Sequence, residues 1–189
     1  MGEEFKLTDE DKKILLKIVR QTLEDYARQK KKPKLNDKNF SQDLMSKTGA
    51  FVSLHKRGNL RGCIGIFDAH SPLYQTVSDM AISAGWQDPR FPGLSPEELK
   101  ELEIEISVLS PLKPAKPEEI EVGKHGIYIT KGFYRGVLLP QVAIEYGWDR
   151  ETFLEHTCLK AGLAPSAWKE PDTEIEIFSA EVFSEKDFE

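Results

Sequence analysis

The sequence predicts a domain of the α+β or mixed α/β class. Three observations lead there: a long helical period near the N-terminus, clean two-residue alternation at 50–66 and 102–109, and strands and helices that follow one another without strict alternation. The 189 residues fit one domain, or one domain split into two lobes. A hydrophobic content of 39% supports a real core, and 31% charged residues suit a soluble surface.

The first element spans roughly residues 9–30. Thr8 and Asp11 stand as a capping box with Asp in place of Glu, and Ile14, Leu15, Ile18, Val19, Leu23 and Tyr26 recur at helical spacing. Arg28, Lys30, Lys31, Lys32 and Lys34 follow, with Pro33 among them. Cations suit a helix C-terminus and proline stops the helix, so residues 1–38 read as a helix and a basic linker. The basic run is a solvated helix end or a nucleic-acid contact. The net charge of −6 argues against a dedicated nucleic-acid binder.

Residues 50–56 and 60–66 form a hairpin around Arg57-Gly58-Asn59. Pairing Lys56 with Leu60 keeps Val52, Leu54, Leu60, Ile64 and Ile66 on one side, whereas a one-residue slip splits them. That register sets Ser53 opposite Cys63 and His55 opposite Arg61, all four pointing away from the apolar face. Ser71-Pro72 opens a second helix, capped by the serine and closed near Gly85. The following loop carries Trp86 and Phe91 among two prolines and a glycine. Ser95-Pro96-Glu97-Glu98 opens a short helix with a full capping box. In residues 102–109, Leu102, Ile104, Ile106 and Val108 point inward and Glu103, Glu105 and Ser107 outward. Residues 111–126 read as a long connection ending in His125-Gly126, before strands at 127–131 and 133–139. Pro140 opens a helix to Gly147. Asp149 caps another with Phe153, Leu154, Cys158 and Ala161 inward, and 173–183 is a last strand. Trp148 and Trp168, flanking that last long helix, read as packing anchors with one wet edge.

The chemistry-bearing centre is the run Leu60-Arg61-Gly62-Cys63-Ile64-Gly65. Glycines weaken a strand, so Gly62 and Gly65 around a thiol mark a close approach to the backbone. Cys63 acts as a nucleophile if Arg61 stabilises its thiolate and His125 or His55 serves as base; otherwise it packs as a small hydrophobe. Glu103 and Glu105 are an acid–base pair, an exposed sheet face, or partners of Arg61. Arg90 either clamps a carboxylate or phosphate, or ties down its own loop. No histidine, cysteine and carboxylate spacing fits a metal site, and no phosphate-loop, dinucleotide or hydrolase-elbow motif appears, so no metal and no cofactor are expected. Cys63 and Cys158 make no disulfide framework, which points to a reducing cytoplasm. No apolar run is long enough to span a membrane. Residues 1–6 lack a leader pattern, and Lys6 breaks a myristoylation pattern.

Seven blocks in order resemble the AMMECR-one domain family. They are Phe51-Val52-Ser53-Leu54, residues 60–65, Asp88-Pro89-Arg90-Phe91-Pro92, Glu105-Ile106-Ser107-Val108-Leu109, Gly123-Lys124-His125-Gly126-Ile127, Leu138-Leu139-Pro140-Gln141-Val142-Ala143, and Trp148-Asp149 with Cys158-Leu159-Lys160-Ala161-Gly162. One departure is Gly93, where members often carry a second proline. The resemblance implies a single two-lobed domain over residues 1–189, with mostly antiparallel sheets flanked by helices, like the nucleotide- and peptide-binding RAGNYA group. It places residues 60–65 near a cleft between the lobes. It also implies action beside Memo-like and radical-SAM proteins on a small-molecule, nucleotide or peptide ligand. The resulting expectation is a binding module using Arg61, Gly62, Gly65, Arg90, Glu105 and Ser107. The alternative is a cysteine-dependent enzyme with Cys63 and His125 as catalytic pair.

Overall fold

Helix α1 (Asp9–Gln29) begins where its cap sets it: the Thr8 hydroxyl accepts the Asp11 N–H, and the Asp11 carboxylate accepts the Thr8 N–H, both at 3.1 Å. These bonds satisfy donors that a helix start leaves without intrahelical partners. The computed structural model describes residues 6–189, so the leader reading of residues 1–5 lies outside it. The chain forms two compact units. One runs to Leu109 and includes Glu181–Glu189; the other is Ser110–Ala180.

In the first unit, β1 (Ala50–Lys56) lies between β2 (Asn59–Ile66) and β3 (Leu102–Leu109), antiparallel to both. Helices α1 and α3 (Leu73–Trp86) pack on each other and on one face of this sheet. Val52, Leu54, Ile104, Ile106 and Val108 meet Leu15, Val19, Leu23, Val77 and Ala81 there, all removed from solvent. Their two-residue and helical periods put them on facing surfaces, and burial of that apolar area holds the unit together.

The hairpin corrects the expected register at its tip. Arg57 (φ 53°) and Gly58 (φ 79°) both take left-handed backbone, so the turn has two residues, and Lys56 pairs with Asn59 rather than Leu60. Two successive positive φ values give the turn whose twist matches that of the strands. A bulge follows, with His55 opposite Leu60 and Leu54 opposite Gly62, which leaves Arg61 unpaired. Leu60 therefore shares the face of His55 instead of the apolar face, and it is exposed. From Leu54 inward the expected register holds, with Ser53 opposite Cys63.

Helix α3 starts one residue later than expected. Ser71 supplies no cap; the Leu73 N–H instead donates to the Ser46 carbonyl at 2.8 Å, just past the short α2 (Gln42–Met45), which the sequence reading lacked. Its last residue is Trp86, expected in the loop, whose indole N–H donates to the Leu94 carbonyl at 3.1 Å. Two lysines of the basic run have partners: Lys30 lies over the Tyr26 and Trp86 rings, and Lys32 bonds Asp79 at 2.6 Å.

In the second unit, β5 (His125–Lys131) pairs antiparallel with β6 (Tyr134–Leu138) and with the first half of β7 (Glu174–Ser184), and the short β4 (Lys113–Pro114) pairs with that same half. The expected connection over 111–126 thus holds a strand of its own, and His125 is the first residue of β5 rather than part of a loop. Helices α4 (Pro140–Tyr146) and α5 (Arg150–Lys160) pack on β5 and β6. Cys158, Phe153 and Leu154 of α5 lie in this core with Ile127, Ile129 and Ile177. Burial pushes the Cys158 thiol pKa up, and the sulfur is a packing atom there. No helix among the described residues is long and apolar enough to cross a membrane.

Candidate functional site

The face of β1–β2–β3 opposite α1 and α3 carries the polar members of the strand alternation. Register puts Cys63, Ser53 and Glu105 in one row across β2, β1 and β3. On one side of that row lie Gly65, Phe51 and Ser107; on the other, His55 and Glu103. The Ser53 hydroxyl donates to Cys63 Sγ at 3.1 Å, and the thiol is half-buried. His55 Nε2 stands 4.0 Å from a Glu105 carboxylate oxygen, too long for a hydrogen bond. Glu103 ion-pairs with Lys186.

Three side-chain atoms on these strands are buried without a partner: His55 Nε2, Arg61 Nη1 and Ser107 Oγ. Such atoms lose water without regaining a bond, which is costly unless a ligand or partner restores it.

The bulge re-aims Arg61. Its Nε and Nη2 donate to the two Glu98 carboxylate oxygens at 3.0 and 3.1 Å, in fork-on-fork geometry. Glu98 is the capping acid of the 3-10 turn Pro96–Glu101 and also accepts the Ser95 N–H. The Arg61 guanidinium holds the Glu98 carboxyl at about 2. Arg61 therefore partners Glu98, not Glu103 or Glu105 as the sequence reading allowed, and its charge is balanced rather than left facing the thiol.

Arg90 makes contacts of the loop-tying kind. Its Nε and Nη2 donate to Asp88 at 3.0 and 2.8 Å, and Nη2 reaches the Cys63 carbonyl at 3.3 Å. Asp88, almost wholly buried, also accepts the Cys63 N–H at 3.0 Å. The hydrogen bonds from Arg90 hold the Asp88 carboxyl well below the usual carboxylate range. Together the two side chains take up the outward N–H and carbonyl of Cys63 on β2, much as a neighbouring strand would, and so cover that strand edge. Asp88 was missed as a site residue because nothing local ties it to a residue 25 positions earlier.

The close approaches expected at Gly62 and Gly65 are made by the chain itself. A side chain at Gly62 would overlap the Ala84 carbonyl oxygen of α3, and one at Gly65 would overlap the Phe51 ring. His125 lies in the second unit. Its Nδ1 accepts the Glu121 N–H at 3.1 Å, and burial lowers its pKa. Among the described residues no group of three His, Cys, Asp or Glu is arranged to hold a metal ion. The arrangement offers a shielded thiol with a hydroxyl donor, a carboxylate, an imidazole and spare hydrogen-bonding capacity on one sheet face.

Comparison with known proteins matches residues 16–183 to the model of the AMMECR1 family. Protein MK0488 of Methanopyrus kandleri is 44% identical over 197 residues, covering 99% of this chain and 93% of that protein. A protein of Methanothermobacter thermautotrophicus is 42% identical over 186 residues, covering 95% of this chain and 96% of its own length. The crystal structure of the uncharacterised protein PH0010 from Pyrococcus horikoshii superposes with a TM-score of 0.80 at 38% identity, covering 95% of this chain and 94% of that one.

Proposed function

The chain belongs to the AMMECR1 family, and from that premise we propose that it is a binding module whose ligand site is the polar face of β1–β2–β3, centred on Cys63. The observation that carries this reading is the pair of buried, unpartnered polar atoms His55 Nε2 and Ser107 Oγ on either side of the Cys63–Ser53–Glu105 row. A third such atom, Arg61 Nη1, belongs to the bulged residue of β2. A ligand presenting both donors and acceptors, such as a peptide amide or a heterocycle, satisfies them together. The module works in a reducing cytoplasm, and joint action with Memo-like and radical-SAM proteins belongs to the same proposal.

A cysteine-dependent reaction is the second reading, favoured by one contact: the Ser53 hydroxyl donates to the Cys63 sulfur, the atom that acts as nucleophile in such a reaction. His55 is the imidazole on the same sheet face, and His125 belongs to the other unit.

Native-state alkylation tests both. Cys158 is wholly buried, so the folded protein reports Cys63 alone. The binding reading expects Cys63 to be modified in the folded protein, and a small-molecule or peptide fraction of a cell extract to slow that modification. The catalytic reading expects in addition a rate at neutral pH above that of free cysteine. A thiol that resists modification until the chain unfolds refutes both.

A further inference from the structure

Tyr146, Trp148 and His156 of the second unit form a stack of three rings. Tyr146 and Trp148 have centroids 4.9 Å apart with planes 16° from parallel; Trp148 and His156 are 3.9 Å apart at 8°. The backbone makes the stack. Gly147, in left-handed conformation (φ 65°), ends α4 directly after Tyr146, and the Trp148 N–H donates back to the Ala143 carbonyl at 2.8 Å. Asp149 then caps α5, and His156 comes two turns along it. Trp148 is the inner member, packed against the second core. Tyr146 has one ring face on Trp148 and is still 68% exposed, so its other face is open. The sequence reading of Trp148 as a packing anchor leaves this outer ring unexplained.

We propose that the open face of Tyr146 receives the guanidinium of an arginine presented by a partner protein. Two features select this occupant. A planar group extends a stack of parallel rings, and the electron-rich faces of tyrosine and tryptophan attract cations. The flanking charge is acidic: Glu145, Asp149 and Glu155 make no ion pair among the described residues, and Glu151 bonds Lys169. The one cation among residues 145–156, Arg150, donates its Nε to the Ile120 carbonyl at 2.9 Å. The carboxylates still outnumber the cations there, and this acidic excess repels a phosphate and so disfavours a nucleotide on this ring. A lysine brings the charge without the plane and is more strongly hydrated.

The test is an NMR titration of the whole protein, read at the Tyr146 ring and the Trp148 indole N–H. The probes are an N-acetylated, C-amidated Gly-Arg-Gly peptide, its lysine counterpart and AMP. The expected result is a saturable shift with the arginine peptide, weaker binding of the lysine peptide, and none with AMP. Tyr146→Ala should weaken the arginine peptide about two- to five-fold, the range of an exposed cation–π contact, while Tyr146→Phe leaves it unchanged. Glu145→Gln with Glu155→Gln should weaken it without disturbing the stack. Equal binding of the lysine peptide, tighter binding of AMP, or indifference to both Tyr146→Ala and the double glutamine variant would overturn the proposal.

Discussion

Replacing Glu98 by Gln removes the carboxylate that Arg61 holds mostly out of water and to which Lys56 Nζ also donates at 3.2 Å. The Arg61 and Glu98 side chains keep 12% and 19% of their exposure, and the two bonds between them are 3.0 and 3.1 Å. The carboxyl stands at about 2 in the folded chain against an ordinary 4.5. At about 1.4 kcal/mol per pH unit this displacement is worth roughly 3 kcal/mol of folding stability at neutral pH. Gln keeps the shape and one acceptor for the Ser95 N–H, so the cap can survive while the ion pair does not. Because the folded value lies below the unfolded one, the contribution is complete above about pH 4.5 and disappears as pH falls towards 2. Glu98→Gln should therefore melt about 6–12 °C below the parent at pH 7, using 2–4 °C per kcal/mol for a chain of this size. That gap should close on titration to pH 2. Melting curves by circular dichroism at pH 7, 5, 3 and 2 measure it. A gap that stays constant from pH 7 to 2, or is absent at pH 7, refutes the reasoning, since neither is compatible with a stabilising ionised pair.

Two further perturbations address the same unit. Arg90→Ala leaves the Asp88 carboxylate buried with only backbone donors, so amide hydrogen exchange at Cys63 should quicken while amides in the centre of β1 stay protected; uniform protection would show that the loop is not held by this pair. Gly62→Ala forces α3 off the sheet against the Ala84 backbone, at a cost of about 1–3 kcal/mol as overpacking. Urea unfolding measures that cost, and a neutral result would mean that the helix shifts freely.

Much of the fold is legible along the chain because short-range physics sets it. The Thr8–Asp11 box, the proline at the start of α4, Gly147 at its end and the Asp149 cap all act within a few residues. The alternation in β3 sorts Ile104 and Ile106 from Glu103 and Glu105 with no knowledge of the partner strand. The hairpin register follows from the same alternation as far as Leu54. It fails beyond because a two-residue turn with a bulge and a three-residue turn without one connect the same strands, and the difference lies in backbone dihedrals rather than in hydrophobicity.

By itself, then, the chain specifies which residues are helical or extended, which flank of each strand is polar, and therefore that Cys63, Ser53, Glu105 and Ser107 share a side. Family membership is likewise written in the residue blocks. Only the tertiary structure decides who bonds whom on that side. Arg61 goes to Glu98, 37 positions away, and the Asp88–Arg90 pair takes the Cys63 backbone. The physical reason is that a charged side chain takes whichever opposite charge or open backbone group the assembled fold brings within about 3 Å. That choice depends on where a bulge and a loop fall in space, which no local pattern encodes.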